Sequence, residues 1–186
     1  HECKDLATNL ECAHDEEQNL KELVPVLLRQ KHPSFEVIIV NDRSNDGTYD
    51  YLLNETNGGT HRDIRMVNVK SVPAHVNGKK YAITLGIKAA RYDWIVLTDA
   101  DCRPNSDEWL HAISSKCAND KEIVLGYSAY RKEVGFLNLF IRFETLLTAI
   151  QYVAYAILGN PYMGIGRNLA YRKSLFLNNK GFNGFL

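Results

Sequence analysis

Short runs of apolar residues alternate with longer stretches of helical periodicity along this chain. Residues 35–40, Phe-Glu-Val-Ile-Ile-Val, are rich in β-branched side chains and predict a strand. Residues 64–69 and 123–130 predict two more. Trp94-Ile-Val-Leu97 is apolar at four successive positions, as in a strand buried on both faces of a parallel sheet. Between these runs, residues 16–30 place Leu20, Leu23, Val24, Leu27 and Leu28 on one helical stripe. Asp15 reads as its N-cap, with Glu16 and Glu17 in the first turn, and Pro25 inside the stripe predicts a kink or a break. Further helices are expected from Thr48 to about Leu53, over 79–90 (Ala82, Leu85, Gly86 and Ala89 on one face) and over about 107–117. Residues 41–48, Asn-Asp-Arg-Ser-Asn-Asp-Gly-Thr, are turn chemistry. This β-α alternation predicts an α/β fold: a three-layer α/β/α sandwich around a mostly parallel central sheet.

Two segments fit that pattern less well. Residues 6–13, Leu-Ala-Thr-Asn-Leu-Glu-Cys-Ala, stand where a first strand belongs, yet their polarity argues against a central place in the sheet. Residues 136–158 are rich in apolar and aromatic side chains, but the uninterrupted apolar part is too short for a membrane span. A long helix packed in the core is the favoured expectation there, ahead of a membrane-surface or partner-facing helix.

Length and charge narrow the function classes. A chain of 186 residues suits one domain, 1–186. Lys and Arg total 22, as do Asp and Glu, so there is no cationic excess to neutralise phosphates and no nucleic-acid partner is expected. The four cysteines, Cys3, Cys12, Cys102 and Cys117, form no C-x-x-C pair. They read as reduced thiols in a cytoplasmic setting. The N-terminus carries no secretory signal pattern, and because the chain opens on His1 it reads as a fragment.

Candidate chemistry gathers at the predicted strand ends. The apolar run at 94–97 leads into Asp99-Ala-Asp101. Ligand sites in open α/β sheets lie just beyond such ends, and two neighbouring carboxylates suit a hard divalent cation, magnesium or manganese, carrying a diphosphate. Asp42 ends another strand and can accept a hydrogen bond from an imide N–H such as uracil N3. Asn77-Gly-Lys-Lys80 opens a helix and can set a cation against a diphosphate. Gly164-Ile-Gly-Arg-Asn168 offers close backbone approach, then two donor side chains, Arg167 and Asn168. Taken singly, each motif also has a plain reading: an acidic turn, a capped turn, a solvated lysine pair and a glycine turn.

In combination the motifs resemble the inverting family 2 glycosyltransferases, whose nucleotide-sugar-binding fold is called GT-A. Cys12-Ala-His-Asp-Glu-Glu17 is similar to the family's P-x-Y-N-E-E. FEVIIVNDRSNDGT (35–48) is similar to V-D-D-G-S-x-D-G-T. Asn77-Gly-Lys79 with Ala82 and Gly86 is similar to G-K-x-x-A-L-N-x-G. Asp99-Ala-Asp101 occupies the D-x-D position. Gly164-x-Gly-Arg-Asn168 with Ala170, Phe176 and Gly181-Phe182 is similar to the acceptor-side segment.

The resemblance implies a nucleotide-binding half over about 12–102 and an acceptor-side half over about 103–186. It implies that Ala13, His14 and Asp42 bind the base, that Lys79 lies near the diphosphate or ribose and that Asp99 approaches the sugar or ribose side. Asp101 becomes the more direct metal ligand, with Asp99 beside it, and Arg167 and Asn168 face the acceptor or the leaving diphosphate. The implied donor is a nucleotide sugar, with UDP favoured through Asp42, and the implied cofactor is divalent Mn2+ or Mg2+. The acceptor class stays open among a glycan, a lipid-linked saccharide and a small molecule. A longer native protein, held at the cytoplasmic face of a membrane, fits the same resemblance. Asn41 and Arg43 depart from the family's usual Asp and Gly. The family's general base, a carboxylate in an E-D or D-D motif, has no counterpart before Leu186, so truncation at the C-terminus is expected, with no catalytic base in this chain. A nucleotide-sugar-binding module without catalysis is the alternative. A phosphatase of the haloacid dehalogenase type fits poorly, because Arg103 stands where that motif carries Thr or Val.

Overall fold

Val37, Ile38, Ile39 and Val40 are all fully buried, because their strand carries helices on both faces and side chains alternate between them. The computed structural model describes residues 6–58, 63–117 and 120–182. Its strands are β1 (Leu6–Ala13), β2 (Ser34–Asp42), β3 (Ile64–Val69), β4 (Trp94–Leu97), β5 (Ile123–Leu125) and β6 (Leu169–Arg172). Its helices are α1 (Glu17–Leu28), α2 (Thr48–Asn57), α3 (Gly78–Ala89), α4 (Trp109–Ser114), α5 (Phe136–Ile157) and α6 (Lys173–Asn178). The sheet order is β3-β2-β1-β4-β6-β5. The β3-β2, β2-β1 and β1-β4 pairs are parallel, and β6 runs antiparallel to both β4 and β5.

Two apolar layers sandwich the sheet. Leu20, Leu23, Val24 and Leu27 of α1 and Leu52 of α2 pack with Ala13, Val37 and Ile39 on one face. Leu110 and Ile113 of α4 extend that layer over Ala7, Val96 and Ala170. Ala82 and Ile87 of α3 pack with Leu10, Ile38, Val40 and Ile95 on the other. The three-layer α/β/α architecture with a mostly parallel sheet is therefore as the sequence predicts.

The polar segment at 6–13 departs from expectation. It is the central strand β1, between β2 and β4. Its polarity is accommodated by cross-strand partners. The Thr8 hydroxyl donates to Glu36 Oε1 at 2.8 Å, on the residue directly opposite in register, and the Asn9 amide donates to Val96 O at 3.4 Å. Glu36 in turn accepts from Arg91 N at 2.6 Å and Arg65 Nη1 at 3.2 Å, so its buried charge is paired.

Other boundaries differ as well. Helix α1 runs through Pro25 without a break, and Glu16, not Asp15, sits at its N-cap. Asp15 adopts φ 57° and instead accepts the Asn45 N–H at 2.6 Å. Strand β5 ends at Leu125 rather than Tyr130. Helix α5 is not core: only Ala149 and Tyr152 are buried, while Phe136, Leu139, Phe143 and Ile150 lie on the surface. Near its C-terminal end Tyr152 Oη donates to Gly126 O at 2.8 Å. Among the described residues no helix is long and apolar enough to cross a membrane.

Candidate functional site

The chain leaves β1 for β2 and β3 on one side, then returns to place β4 on the other. This reversal opens a crevice beyond the carboxyl ends of β1 and β4, the position where doubly wound sheets bind ligands. A cleft of about 420 Å³ lies there, walled by Cys12, Lys79, Asp99, Asp101, Tyr130 and Arg167. Four of the sequence-predicted site residues thus share one cavity, although they come from positions 79 to 167 of the chain.

Each is delivered by an element end. The β1-β4 pairing extends to Thr98, whose N–H donates to Leu10 O at 3.4 Å. The chain then turns, with Cys102 N donating to Asp99 O at 2.8 Å, which presents both carboxylates at the strand tip. Lys79 is on the first turn of α3, where Asn77 caps the helix by accepting the Lys80 N–H at 3.1 Å. Lys79 Nζ approaches Asp99 Oδ1 at 3.4 Å. Burial works against the lysine's charge, but the charge and hydrogen bond of Asp99 outweigh it, and the Lys79 pKa rises. Arg167 stacks its guanidinium over the Tyr130 ring at 4.7 Å.

Asp42 and His14 sit at the neighbouring strand ends. The loops after β1 and β2 are zipped together: Asp15 N donates to Ser44 Oγ at 3.0 Å, and Glu16 N donates to Thr48 Oγ1 at 3.0 Å. His14 Nδ1–H donates to the Asp42 carbonyl at 2.5 Å, leaving the half-exposed ring at the surface. The Asp42 carboxylate is gripped by the next residue, with Arg43 Nε on Oδ1 at 2.8 Å and Nη2 on Oδ2 at 3.3 Å. That hydrogen bonding raises the arginine pKa still further. Gly78 lies beneath the pair: a Cβ there would come within 2.4 Å of Arg43 Nη2.

Ala13 and Asn168 are placed differently from the rest. Ala13 is fully enclosed in the layer under α1. The Asn168 carboxamide is committed on both sides, its oxygen accepting Trp109 Nε1–H at 3.2 Å and its nitrogen donating to Tyr127 O at 3.0 Å. It fastens α4 to the segment after β5 and walls a second cleft of about 630 Å³, which shares Asp101, Tyr130 and Arg167 with the first.

One residue of the site region went unremarked in the sequence. Glu11, near the end of β1, is 1% exposed, and neither of its carboxyl oxygens has a hydrogen-bond partner. Burial pushes its pKa well up, the Asp99 and Asp101 charges add to the rise, and Lys79 offsets only part of it. An acid in mid-strand, between Leu10 and Cys12, was the available signal.

The donor set bears on metal binding. Asp99 and Asp101 offer hard carboxylate oxygens, but the described residues hold no group of three or more potential ligands. One or two carboxylates, with phosphate oxygens completing the shell, is how magnesium-type ions are commonly held. The residues fit a metal that arrives with a diphosphate, not a closed protein cage.

The sequence profile described as Glycosyl transferase family 2 matches residues 12–178. A poly-beta-1,6-N-acetyl-D-glucosamine synthase of Staphylococcus epidermidis is 29% identical over 113 residues, covering 58% of this chain and 24% of that protein. Among solved structures, a mannosyltransferase from Pyrobaculum calidifontis in complex with GDP-Man and Mn2+ superposes with a TM-score of 0.69 at 18% identity, over 94% of this chain and 46% of its own. TarS 1-349 of S. aureus in complex with UDP-GlcNAc gives 0.60 at 17% identity, over 94% and 47%. The chain thus spans about a quarter of the synthase and just under half of each solved chain.

Proposed function

The chain belongs to glycosyl transferase family 2, and we propose that it binds a nucleoside-diphosphate sugar, UDP-linked by preference, and passes the sugar to an acceptor hydroxyl with inversion. The observation that carries this reading is the convergence of Asp99, Asp101, Lys79 and Arg167 on one cleft at the sheet's switch point. Asp42 and His14, at the ends of β2 and β1, take the base side. Lys79 and Arg167 are the cations for the diphosphate, where negative charge grows as the nucleotide departs.

Asp101, with Asp99 beside it, would hold Mn2+ or Mg2+. When bound, the ion neutralises charge on the leaving diphosphate. The solved neighbours in complex with GDP-Man and Mn2+, and with UDP-GlcNAc, lend support at the level of fold. The second cleft, with Trp109, Tyr127 and Asn168 along its wall, is the acceptor side, for a glycan, a lipid-linked saccharide or a small molecule. Cys12 and Cys102 are free thiols and suit a reducing, cytoplasmic compartment.

Calorimetric titration with UDP, in manganese and in chelator, tests this reading. Metal-dependent binding is expected, and Asp101→Ala should weaken UDP binding in manganese by about tenfold or more, the scale of a lost charge-assisted contact. Equal affinity in manganese and chelator for both proteins overturns the metal role. No binding of any nucleotide overturns the donor site itself.

A further inference from the structure

Asp42 carries its own counter-ion. The arginine that grips it follows directly in sequence, on a residue with φ 57°, a left-handed conformation that is unfavourable for a non-glycine residue. The guanidinium reaches back as a fork, one nitrogen to each carboxylate oxygen, at 2.8 and 3.3 Å. Gly78 leaves the space that the fork occupies. Asp42 is 7% exposed, so the fork grips a carboxylate that is already largely withdrawn from solvent. An otherwise unfavourable backbone conformation, a missing Cβ and a bidentate pair all serve one placement.

The fork changes what the carboxylate can read. A carboxylate offers about four lone-pair sites, and a bidentate guanidinium takes one on each oxygen. Guanine presents two adjacent donors, N1–H and the N2 amino group, which satisfy a carboxylate best by the same two-point approach. Uracil presents a single donor, N3–H, between two carbonyl oxygens. A forked Asp42 retains one lone pair on each oxygen, on opposite outer edges, so it can take a single donor at either edge but not two adjacent donors together, and the unused N–H groups of Arg43 are donors suited to a carbonyl beside it. We infer that Arg43 is a specificity-determining residue of the donor site: by forking Asp42 it closes the two-point approach guanine needs and completes a one-acceptor, one-donor face that suits uracil.

This inference rests on the donor-site reading above, and the two can fail separately. UDP and GDP are titrated in manganese against the unaltered protein, Arg43→Gly and Arg43→Lys. Glycine relieves the left-handed backbone, and lysine keeps the charge but cannot fork. The unaltered protein is expected to bind UDP more tightly than GDP. In both variants the UDP-over-GDP ratio should fall by about tenfold, with GDP affinity rising and UDP affinity falling. If UDP binds and the ratio is the same in all three proteins, Arg43 does not select the base, while the donor site stands. A preference of the unaltered protein for GDP also overturns the inference. If neither nucleotide binds the unaltered protein, the donor-site reading fails and the inference falls with it.

Discussion

Glu11 is the residue at which stability and site meet. Its carboxyl is buried and unpaired, so the fold holds it protonated above the ordinary carboxylate range, through burial first and then the Asp99 and Asp101 charges. The unfolded chain ionises the same group near pH 4.3. Between that pH and the raised folded pKa the native state binds more protons than the unfolded state, and stability falls as pH rises. The slope from this one group is at most about 1.4 kcal/mol per pH unit. Asp93 opposes the trend only at acid pH: although burial works against its charge, the Ser174 N–H and Arg172 hold its pKa below the usual value. Urea unfolding from pH 5 to 8 is therefore expected to show declining stability, and Glu11→Gln should flatten the decline. A stability difference between the two proteins that stays constant across that range would show that Glu11 is not held protonated.

At the scale of elements, the packing of α3 on the sheet fixes where Lys79 and the Gly78 cradle stand. Gly86 makes that packing close: a Cβ there would come within 2.4 Å of Leu10 Cδ1 and 2.8 Å of Val40 Cγ2. Both neighbours are fully buried. Gly86→Ala gains about 1 kcal/mol of helix propensity but overpacks the interface at a cost of about 1–3 kcal/mol. A net loss of about 1 kcal/mol is expected, read as a lower urea midpoint at unchanged m-value; a higher midpoint would mean that the interface yields without strain. The sequence displayed this helix well, because Ala82 and Gly86 recur at helical spacing and Asn77 announces the start. It displayed β1 poorly, because Thr8, Asn9 and Glu11 look exposed until Glu36 and Val96 on adjacent strands are seen to meet two of them. It showed no strand at Leu169–Arg172, four residues long and defined by antiparallel pairing with β4 and β5. It misplaced α5 because apolar content alone does not say what a helix packs against.

In the whole molecule, the parallel half of the sheet supplies a rigid platform whose loops carry the chemistry. The strand-end carboxylates, the lysine after Gly78 and the arginine after Gly166 were legible because motif spacing survives without any knowledge of contacts. The grip of Arg43 on Asp42 and the commitment of Asn168 to Trp109 were not, since both depend on rotamers and on neighbours supplied by folding. The cleft draws its walls from β1, α3, β4 and the segments flanking α5, so a ligand seated there couples elements from both halves of the chain. Binding to the folded state alone stabilises it by RT ln(1 + [L]/Kd), about 2.7 kcal/mol at a hundredfold excess over Kd. For a chain of 186 residues that corresponds to a rise in Tm of roughly 5–10 °C. UDP with manganese should produce a shift of that size, and chelator or Asp101→Ala should remove most of it. A shift that survives both would overturn the metal role of Asp101 and leave Lys79 and Arg167, which line the same cleft, as the cations that hold the diphosphate.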